Sequence, residues 1–237
     1  MAKFERQEKM KSFYDESDYF KEVKTYKELL EPAFQKYRIA KVKEIYSPNK
    51  EERVLDMGCA LGTFCFVFAS QCKEIIGIDY SRRAINIADR LLKNSPFDNI
   101  KFICADVQST GLEADSFDVI VCADLFEHLY PEAFERTLDE CRRLLKKGGK
   151  LIIWTPHRGH ILEILKNHNI ILKKDISHVD YKSMKYLLNS LQQRKFLIRK
   201  AYYTESHIPI FRILERLFLP ILPIMRRRIA ILAEKIE

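Results

Sequence analysis

The sequence has no C-x-x-C pair, although it contains six cysteines, at positions 59, 65, 72, 104, 122 and 141. An apolar segment near the amino terminus is also missing, because residues 1–11 are charged from Lys3 onward, and we expect no secretory signal. Cys104 and Cys122 fall within apolar runs, where a free thiol behaves as a small hydrophobic side chain. We therefore expect reduced thiols and a cytoplasmic protein.

Linkers rich in proline, glycine or serine, internal repeats and low-complexity tracts are absent from the sequence. A chain of 237 residues can bury the core of one α/β domain and is too short for two full domains. We expect a single domain over residues 1–237.

Positive charge is unevenly distributed along the chain. The formal net charge is +8, and residues 182–237 carry twelve Lys or Arg against four Glu, which accounts for all of it. Residues 1–181 hold 29 charges of each sign and are neutral. The basic carboxyl-terminal part is therefore available to an anionic partner.

The most informative motif is an apolar strand that runs into a glycine-bearing turn and a helix, over residues 54–64. A dinucleotide fingerprint would need glycine at positions 60 and 63, where this chain has Ala60 and Thr63. The pattern acid-x-G-x-G-x-G fits better, with Asp56, Gly58 and Gly62 in place and Ala60 in the middle glycine position. This loop resembles the glycine loop of class I S-adenosylmethionine-dependent methyltransferases.

Further acids follow the next two apolar strands. Asp79 ends a strand that starts at Glu74, where the hydroxyls of a ribose would need an acceptor, and Asp106 closes the strand 102–107. Strand and helix signals alternate from Arg53 to Trp154, which favours a parallel sheet with helices on both faces.

Residues 35–157 resemble small-molecule methyltransferases, ubiquinone-biosynthesis O-methyltransferases in particular. The ordered motifs are a strand at 117–124, the run Glu127-His128-Leu129, a helix at 131–145, a turn at 147–149, and a strand at 150–154 that closes with 155–157. Lys147 replaces the usual proline, and His157 replaces the usual asparagine.

The resemblance implies a Rossmann-like sheet of seven strands, in which an antiparallel last strand inserts between the fifth and the sixth. It also implies an enzyme that uses S-adenosyl-L-methionine. Asp79 would then bind the ribose, Asp106 the adenine amine, Tyr80 would flank adenine, and Arg38 would hold the methionine carboxylate. The full predicted cofactor set is Arg38, Asp56, Gly58, Cys59, Ala60, Gly62, Asp79, Tyr80, Asp106, Val107 and Ala123.

His128 is the candidate catalytic residue, because imidazole titrates near neutral pH and can take a proton from a hydroxyl acceptor. A structural histidine that caps the next helix is the alternative. Asp124, Glu127 and His128 also resemble the ligand pattern of metal-assisted O-methyltransferases, and His157, His160 or His178 could complete such a shell. Solvated acids at a strand end are the alternative here.

The remaining elements are predicted from periodicity. Two helices within 12–47, with Tyr26, Leu29, Leu30, Ala33 and Tyr37 recurring at helical spacing, should cover the cofactor mouth. Helices follow from residue 160 and at 181–192, and strands at 196–203 and 229–233. The single domain thus divides into a lid (1–50), a cofactor-binding core (51–157) and a substrate-side part (158–237).

The segment 207–228 is apolar and ends in Arg226, Arg227 and Arg228. Its longest uncharged run after Arg216 has nine residues, too few to cross a bilayer. Such a segment suits contact with anionic lipid on the inner membrane face, while a lid over the substrate pocket and a dimer contact are alternatives.

The sequence therefore predicts a methyltransferase that acts on a small, hydrophobic or lipid-linked acceptor, at oxygen. An RNA methyltransferase is the runner-up, prompted by the basic tail, although this tail interleaves basic with aliphatic rather than aromatic residues. The third alternative is a non-catalytic interaction protein, and the intact acids Asp56, Asp79 and Asp106 argue against it.

Overall fold

A computed structural model describes residues 12–15, 19–20, 23–167, 177–218 and 221–237. Over these residues seven strands form one sheet in the order β3-β2-β1-β4-β5-β7-β6. β7 is antiparallel to β5 and β6, and the pairs among β1 to β5 are parallel. The strands are β1 (Arg53–Met57), β2 (Glu74–Asp79), β3 (Ile100–Cys104), β4 (Phe117–Ala123), β5 (Leu145–Pro156), β6 (Phe196–Thr204) and β7 (Arg228–Lys235).

Helices cover both faces of this sheet, and residues 12–15 are helical as well. No helix in the described part of the chain is long and apolar enough to span a bilayer. The helices are α1 (Tyr26–Leu30), α2 (Ala33–Ile45), α3 (Thr63–Phe68), α4 (Arg82–Lys93), α5 (Pro131–Leu144), α6 (Ile161–Asn167), α7 (Met184–Gln193) and α8 (Pro209–Phe218), with 3-10 turns at Phe126–His128 and Pro223–Met225.

Alternation along the strands divides the core into two layers. In β1, Val54 packs with α2, α3 and α4 on one face, whereas Leu55 packs with α5 and α7 on the other. Both side chains are fully buried, as expected for a central strand of a parallel sheet. The predicted α/β sheet and the antiparallel insertion of its last strand are therefore confirmed.

Several predicted boundaries differ from the structure. The third strand ends at Cys104, so that Asp106 lies in a turn and forms an isolated bridge with Ser109. The predicted turn at 147–149 is a bulge within β5, since Leu145 pairs with Phe117 while Lys150 pairs with Val119.

Helices form within the predicted lid, but the five residues predicted to cover the cofactor mouth are not among those that line the cavity at the carboxyl ends of the central strands. Leu29 is buried and the Tyr26 ring stacks on Phe66, but Ala33 is exposed because it starts α2 at the surface. Residues 1–11, 16–18 and 21–22 of the predicted lid lie outside the described residues.

The turn after β1 is held in a left-handed backbone conformation at three alternate positions. The φ angles are 72° at Gly58, 48° at Ala60 and 86° at Gly62. A side chain raises the energy of this conformation, so Ala60 shows that the middle glycine of the motif can be replaced at a moderate cost. The backbone N–H groups of Gly58 and Cys59 both donate to the carbonyl of Ile78, at 2.8 and 2.9 Å, and fix the turn against β2.

Gly62→Ala should destabilise the protein for two reasons. A Cβ atom there would lie 2.5 Å from the Phe102 ring, in addition to the left-handed φ angle. Left-handed strain contributes about 1–2 kcal/mol and overpacking about 1–3 kcal/mol. The free energy of unfolding from urea titration measures the sum.

Gly111→Ala is the matched control, because Gly111 has a φ angle of 72° and no atom within 4 Å of an added Cβ. In this variant the free energy of unfolding should fall only by the cost of the left-handed conformation, about 1–2 kcal/mol. An equal decrease in the free energy of unfolding in the two variants would show that the Phe102 ring moves away from the added methyl group without destabilising the protein.

Candidate active site

A cavity of about 790 Å³ opens at the carboxyl ends of the central strands. This volume falls within the range of small-molecule sites. Nine of the twelve residues predicted to bind the cofactor or to act as the base line it: Arg38, Gly58, Ala60, Asp79, Tyr80, Asp106, Val107, Ala123 and His128.

Three residues of the predicted cofactor set, Asp56, Cys59 and Gly62, are absent from this lining. Asp56 is 2% exposed, and the Cys65 thiol lies 3.7 Å from its carboxylate. Burial, partly offset by the charge of Arg38, raises the pKa of Asp56 to about 7. These residues shape the loop from within the core, and their contact with a cofactor stays a prediction.

Asp79 is held in place by the glycine loop. Its Oδ2 accepts a hydrogen bond from the Ala60 N–H at 3.0 Å, and its Oδ1 accepts one from the Ser81 N–H at 2.9 Å. Burial raises the pKa of Asp79 to about 6, although both N–H groups favour the charged form. Each carboxylate oxygen can accept a further hydrogen bond, so the side chain fits a ribose diol.

Asp106 and Tyr80 both line the cavity, on the wall formed where the neighbouring strands β2 and β3 end. The Asp106 Oδ1 accepts from the backbone N–H of Gln108 at 2.9 Å, which closes a local turn. The Tyr80 ring packs edge-on against Tyr14, with 5.6 Å between the centroids. This wall thus combines a carboxylate with aromatic faces, a combination that suits a purine.

The aromatic cover of the cavity is a feature that sequence reasoning missed. Tyr14, Tyr19, Phe20 and Phe34 line the cavity, and the Tyr14 and Tyr19 rings meet at 4.8 Å. The signal for it was the aromatic content of residues 13–20, upstream of the helical pattern on which the predicted lid was based.

Asp124 is paired with two arginines. Its Oδ2 lies 2.7 Å from the Arg38 Nε, and its Oδ1 accepts from an Arg228 N–H group. Burial would raise the pKa of Asp124, but the charges of Arg228 and Arg38 outweigh burial and lower that pKa. The Arg38 Nη2 also donates to the Ala123 carbonyl at 2.9 Å.

The structure favours a different set of candidate metal ligands from the predicted Asp124, Glu127 and His128. The Asp124 carboxylate is neutralised by arginines, and the structure instead groups Glu127, His128 and His178, whose ligand atoms all lie within 4.8 Å of one another. A carboxylate with two imidazoles is a donor set that suits Zn²⁺ or another first-row divalent ion.

Glu127 is 1% exposed, and its Oε2 accepts from the Thr155 hydroxyl at 2.9 Å. Burial and then the Asp124 charge raise the pKa of Glu127 to about 8. A cation beside this carboxylate would offset both effects, so the group fits a metal ion.

The two other candidate histidines lie elsewhere. The His157 Nδ1 contacts the Arg226 carbonyl oxygen at 3.0 Å, and burial lowers the pKa of this imidazole. His160 is fully buried, with its Nε2 2.9 Å from the Glu215 carboxylate. Spacing in the sequence could not separate these residues from His178.

The His128 Nδ1 lies 3.0 Å from the Ser177 carbonyl oxygen and 2.9 Å from the Tyr14 hydroxyl. Because a carbonyl oxygen only accepts, the first contact assigns the proton to Nδ1 and leaves Nε2 as the acceptor nitrogen. This tautomer is the one that a general base at Nε2 requires.

Comparison with known proteins agrees with this geometry. The profile of a family described as "Methyltransferase domain" matches residues 48–202. The ubiquinone biosynthesis O-methyltransferase of Coxiella burnetii is 33% identical over 110 residues, 46% of this chain and 46% of that protein. The malonyl-[acyl-carrier protein] O-methyltransferase of a Paenibacillus species is 32% identical over 119 residues, 48% of this chain and 42% of that protein. These matches span about half of the length of the curated relatives.

Among solved structures, the fold resembles a SAM-dependent methyltransferase from Archaeoglobus fulgidus. The TM-score is 0.63 at 20% identity, over 89% of this chain and all of that one. At this identity the likeness shows the fold.

The chain belongs to the methyltransferase-domain family. The predicted fold and the methyltransferase class are thereby confirmed. S-adenosylmethionine as the cofactor of this chain stays a prediction, because the family description does not name it and the likeness to the solved structure shows the fold alone. The individual residues predicted to bind this cofactor stay predictions, supported by the way they line the cavity.

Asp79→Ala should weaken binding of S-adenosylmethionine by about 1.5–3 kcal/mol, the range for a hydrogen bond to a charged group. In the unmutated protein the affinity should also fall as the pH drops through about 6, because protonation removes the acceptor charge of Asp79. Calorimetric titration over pH 5–8 measures both effects.

Asp98→Ala, at an exposed aspartate outside the cavity, is the control and should bind normally. S-adenosylhomocysteine should also raise the melting temperature more than NAD does, because the loop lacks the third dinucleotide glycine. Unchanged affinity in Asp79→Ala would rule out its assignment to the ribose.

Proposed function

We propose that this protein transfers a methyl group from S-adenosylmethionine to a hydroxyl oxygen of a small, hydrophobic or lipid-linked acceptor. The observation that carries the proposal is the position of Glu127 and His128 in the same cavity as Asp79 and the glycine loop. A hydroxyl acceptor carries a proton that must be removed during transfer. His128 can supply the base, or Glu127 and His128 can together bind a metal ion that lowers the pKa of the hydroxyl. The names of the two O-methylating relatives support oxygen as the acceptor atom.

Bound S-adenosylmethionine supplies an electrophilic methyl carbon on a sulfonium. The protein's main task is then to hold the cofactor and the acceptor in line, which Asp79, the glycine loop and the aromatic cover can do. His128 accepts the acceptor's proton at Nε2, while its Nδ1–H stays bonded to the Ser177 carbonyl. The aromatic rings exclude water and favour an apolar acceptor.

Methyl transfer can be followed with tritiated S-adenosylmethionine in a cell extract divided into organic-soluble, RNA and protein fractions. We expect label in the organic-soluble fraction. Label in RNA would support the runner-up function instead, and no label in any fraction would support an interaction protein.

In the same assay His128→Ala should lower turnover by about 10²-fold or more, because general-base catalysis contributes about that much. The affinity for S-adenosylmethionine should stay nearly unchanged. His157→Ala is the matched control, since His157 is outside the cavity lining and should leave turnover intact. Full turnover in His128→Ala would assign this histidine a structural role.

If Glu127, His128 and His178 hold a divalent ion, EDTA should abolish turnover, and the added ion should restore it. Glu127 has to lose its proton to bind a cation, so the measured affinity should rise with pH toward about 8. Calorimetry with Zn²⁺ or Mn²⁺ measures this directly, and Glu127→Gln and His178→Ala should both weaken binding. Turnover that is indifferent to EDTA would leave His128 as a simple base.

A further inference from the structure

Helix α8 has the opposite amphipathicity to an ordinary surface helix. Its one acid, Glu215, is fully buried, bonded to the His160 Nε2 at 2.9 Å and to the backbone N–H of Ser206. Its aliphatic side chains Ile213 and Leu217 are instead 64% and 65% exposed. A surface helix normally turns its apolar stripe inward, so the outward stripe of α8 calls for a partner.

The outward apolar stripe continues beyond the helix to Ile221, which is 73% exposed. Thirteen large hydrophobic side chains are exposed among the described residues, and eight of them lie within 211–224. We call these eight the apolar surface: Phe211, Ile213, Leu214, Leu217, Phe218, Ile221, Leu222 and Ile224. Exposure is thus concentrated in one segment of the chain.

The exposed charges within residues 207–228 have one sign. Glu215 is the only acid in residues 207–228 and it is buried, whereas Arg212 and Arg216 are exposed. Arg216 also contacts the Glu205 carboxylate at 3.1 Å, yet its side chain stays 62% exposed. This flank can therefore meet an anion without an opposing exposed carboxylate from the same segment.

The structure corrects the expectation that Arg226, Arg227 and Arg228 together face lipid. Arg228 is 8% exposed and pairs with Asp124, and the Arg227 Nη1 lies 2.9 Å from the Glu163 carboxylate. Arg226 is half-buried over the Tyr203 ring. Headgroup contacts would thus come from Arg212 and Arg216.

We propose that the apolar surface docks on an anionic lipid bilayer, with Ile213 and Leu217 inserted and Arg212 and Arg216 at the headgroups. Apolar side chains beside basic ones on a helix lying in the interface plane match this mode of binding. The proposal is independent of the methyl acceptor.

Two other occupants fit the surface less well. In an isologous dimer the same patch would face itself and bring the Arg212 and Arg216 pairs of both copies together, an unfavourable juxtaposition of like charges. As a lid over the substrate, α8 would have to contribute side chains to the cavity, and none of its described side chains, those of residues 211–218, lines it.

The underside of α8 adjoins the cavity. Glu215 contacts His160, the His160 Nδ1 lies 3.2 Å from the Arg227 Nη1, and Arg227 and Glu163 both line the cavity. A docked α8 would thus hold this wall of the cavity close to the lipid surface.

Sedimentation with phosphatidylcholine vesicles, with and without phosphatidylglycerol, at low and physiological salt, tests the proposal. The protein should sediment with the phosphatidylglycerol vesicles, and less so at higher salt, because surface charges are screened over about 8 Å at physiological ionic strength. Ile213→Glu/Leu217→Glu should lower binding by about tenfold or more. The control Leu197→Glu/Ile236→Glu changes two exposed apolar residues outside the apolar surface and should bind as the unmutated protein does.

The charge contribution has its own pair of variants. Arg212→Gln/Arg216→Gln should lower binding to phosphatidylglycerol vesicles by about tenfold or more. Lys36→Gln/Lys43→Gln removes the same net charge from the exposed face of α2 and should have little effect. Each variant should keep the melting shift with S-adenosylhomocysteine, which shows an intact fold.

Three results would overturn the proposal. One is no sedimentation of the unmutated protein at low salt. Another is an equal loss of binding in the test and control variants. The third is a dimer in light scattering that Ile213→Glu/Leu217→Glu dissociates while vesicles bind nothing, which would identify a second copy of the chain as the occupant. None of these outcomes depends on finding the methyl acceptor.

Discussion

The carboxylate of Asp124 holds together three elements that are far apart in the sequence. It follows β4, pairs with Arg38 from α2, and accepts a hydrogen bond from Arg228 at the start of β7. The Arg228 guanidinium also lies 4.3 Å from the Trp154 ring in β5. The side chains of Asp124, Arg38 and Arg228 are at most 20% exposed. Removal of one partner would leave a buried charge uncompensated and lower the free energy of unfolding by about 3–5 kcal/mol. Helix α2, the end of β4 and the start of β7 are therefore joined through this one carboxylate.

Local chemistry explains which features could be predicted from the sequence. The sequence predicts β1 from an apolar run, the following turn from two glycines, and the role of Asp79 from its position at the end of the next strand. All of these signals lie within about 25 residues of one another. The pairing of Asp124 with Arg228 spans 104 residues and could not be read from spacing. His178 likewise reaches His128 only through the folded chain, and nothing in the sequence distinguishes it from His157 or His160. The strand pattern is thus encoded locally, whereas the polar contacts of the site depend on tertiary packing.

Asp124 and Glu127 show how the fold gives neighbouring acids different states. Burial opposes ionisation of both, but the two arginines lower the pKa of Asp124, while the negative charge of Asp124 adds to burial in raising the pKa of Glu127 to about 8. At neutral pH the Asp124 carboxyl is therefore ionised and paired with two arginines, whereas the Glu127 carboxyl is largely protonated. Only Glu127 is therefore left to respond to a cation, since a bound ion would favour its charged form.

The carboxyl-terminal arginines divide into two groups with different surroundings. Arg227 and Arg228 point inward and form ion pairs with Glu163 and Asp124. Two of the three consecutive arginines at 226–228 are therefore neutralised by carboxylates that line the cavity. Arg212 and Arg216 remain at the surface, beside aliphatic residues that the core does not bury. Glu215 and His160 connect the two groups, because Glu215 on α8 contacts His160, and the His160 Nδ1 lies 3.2 Å from the Arg227 Nη1. A shift of α8 would therefore displace Arg227 and Glu163, which line the cavity.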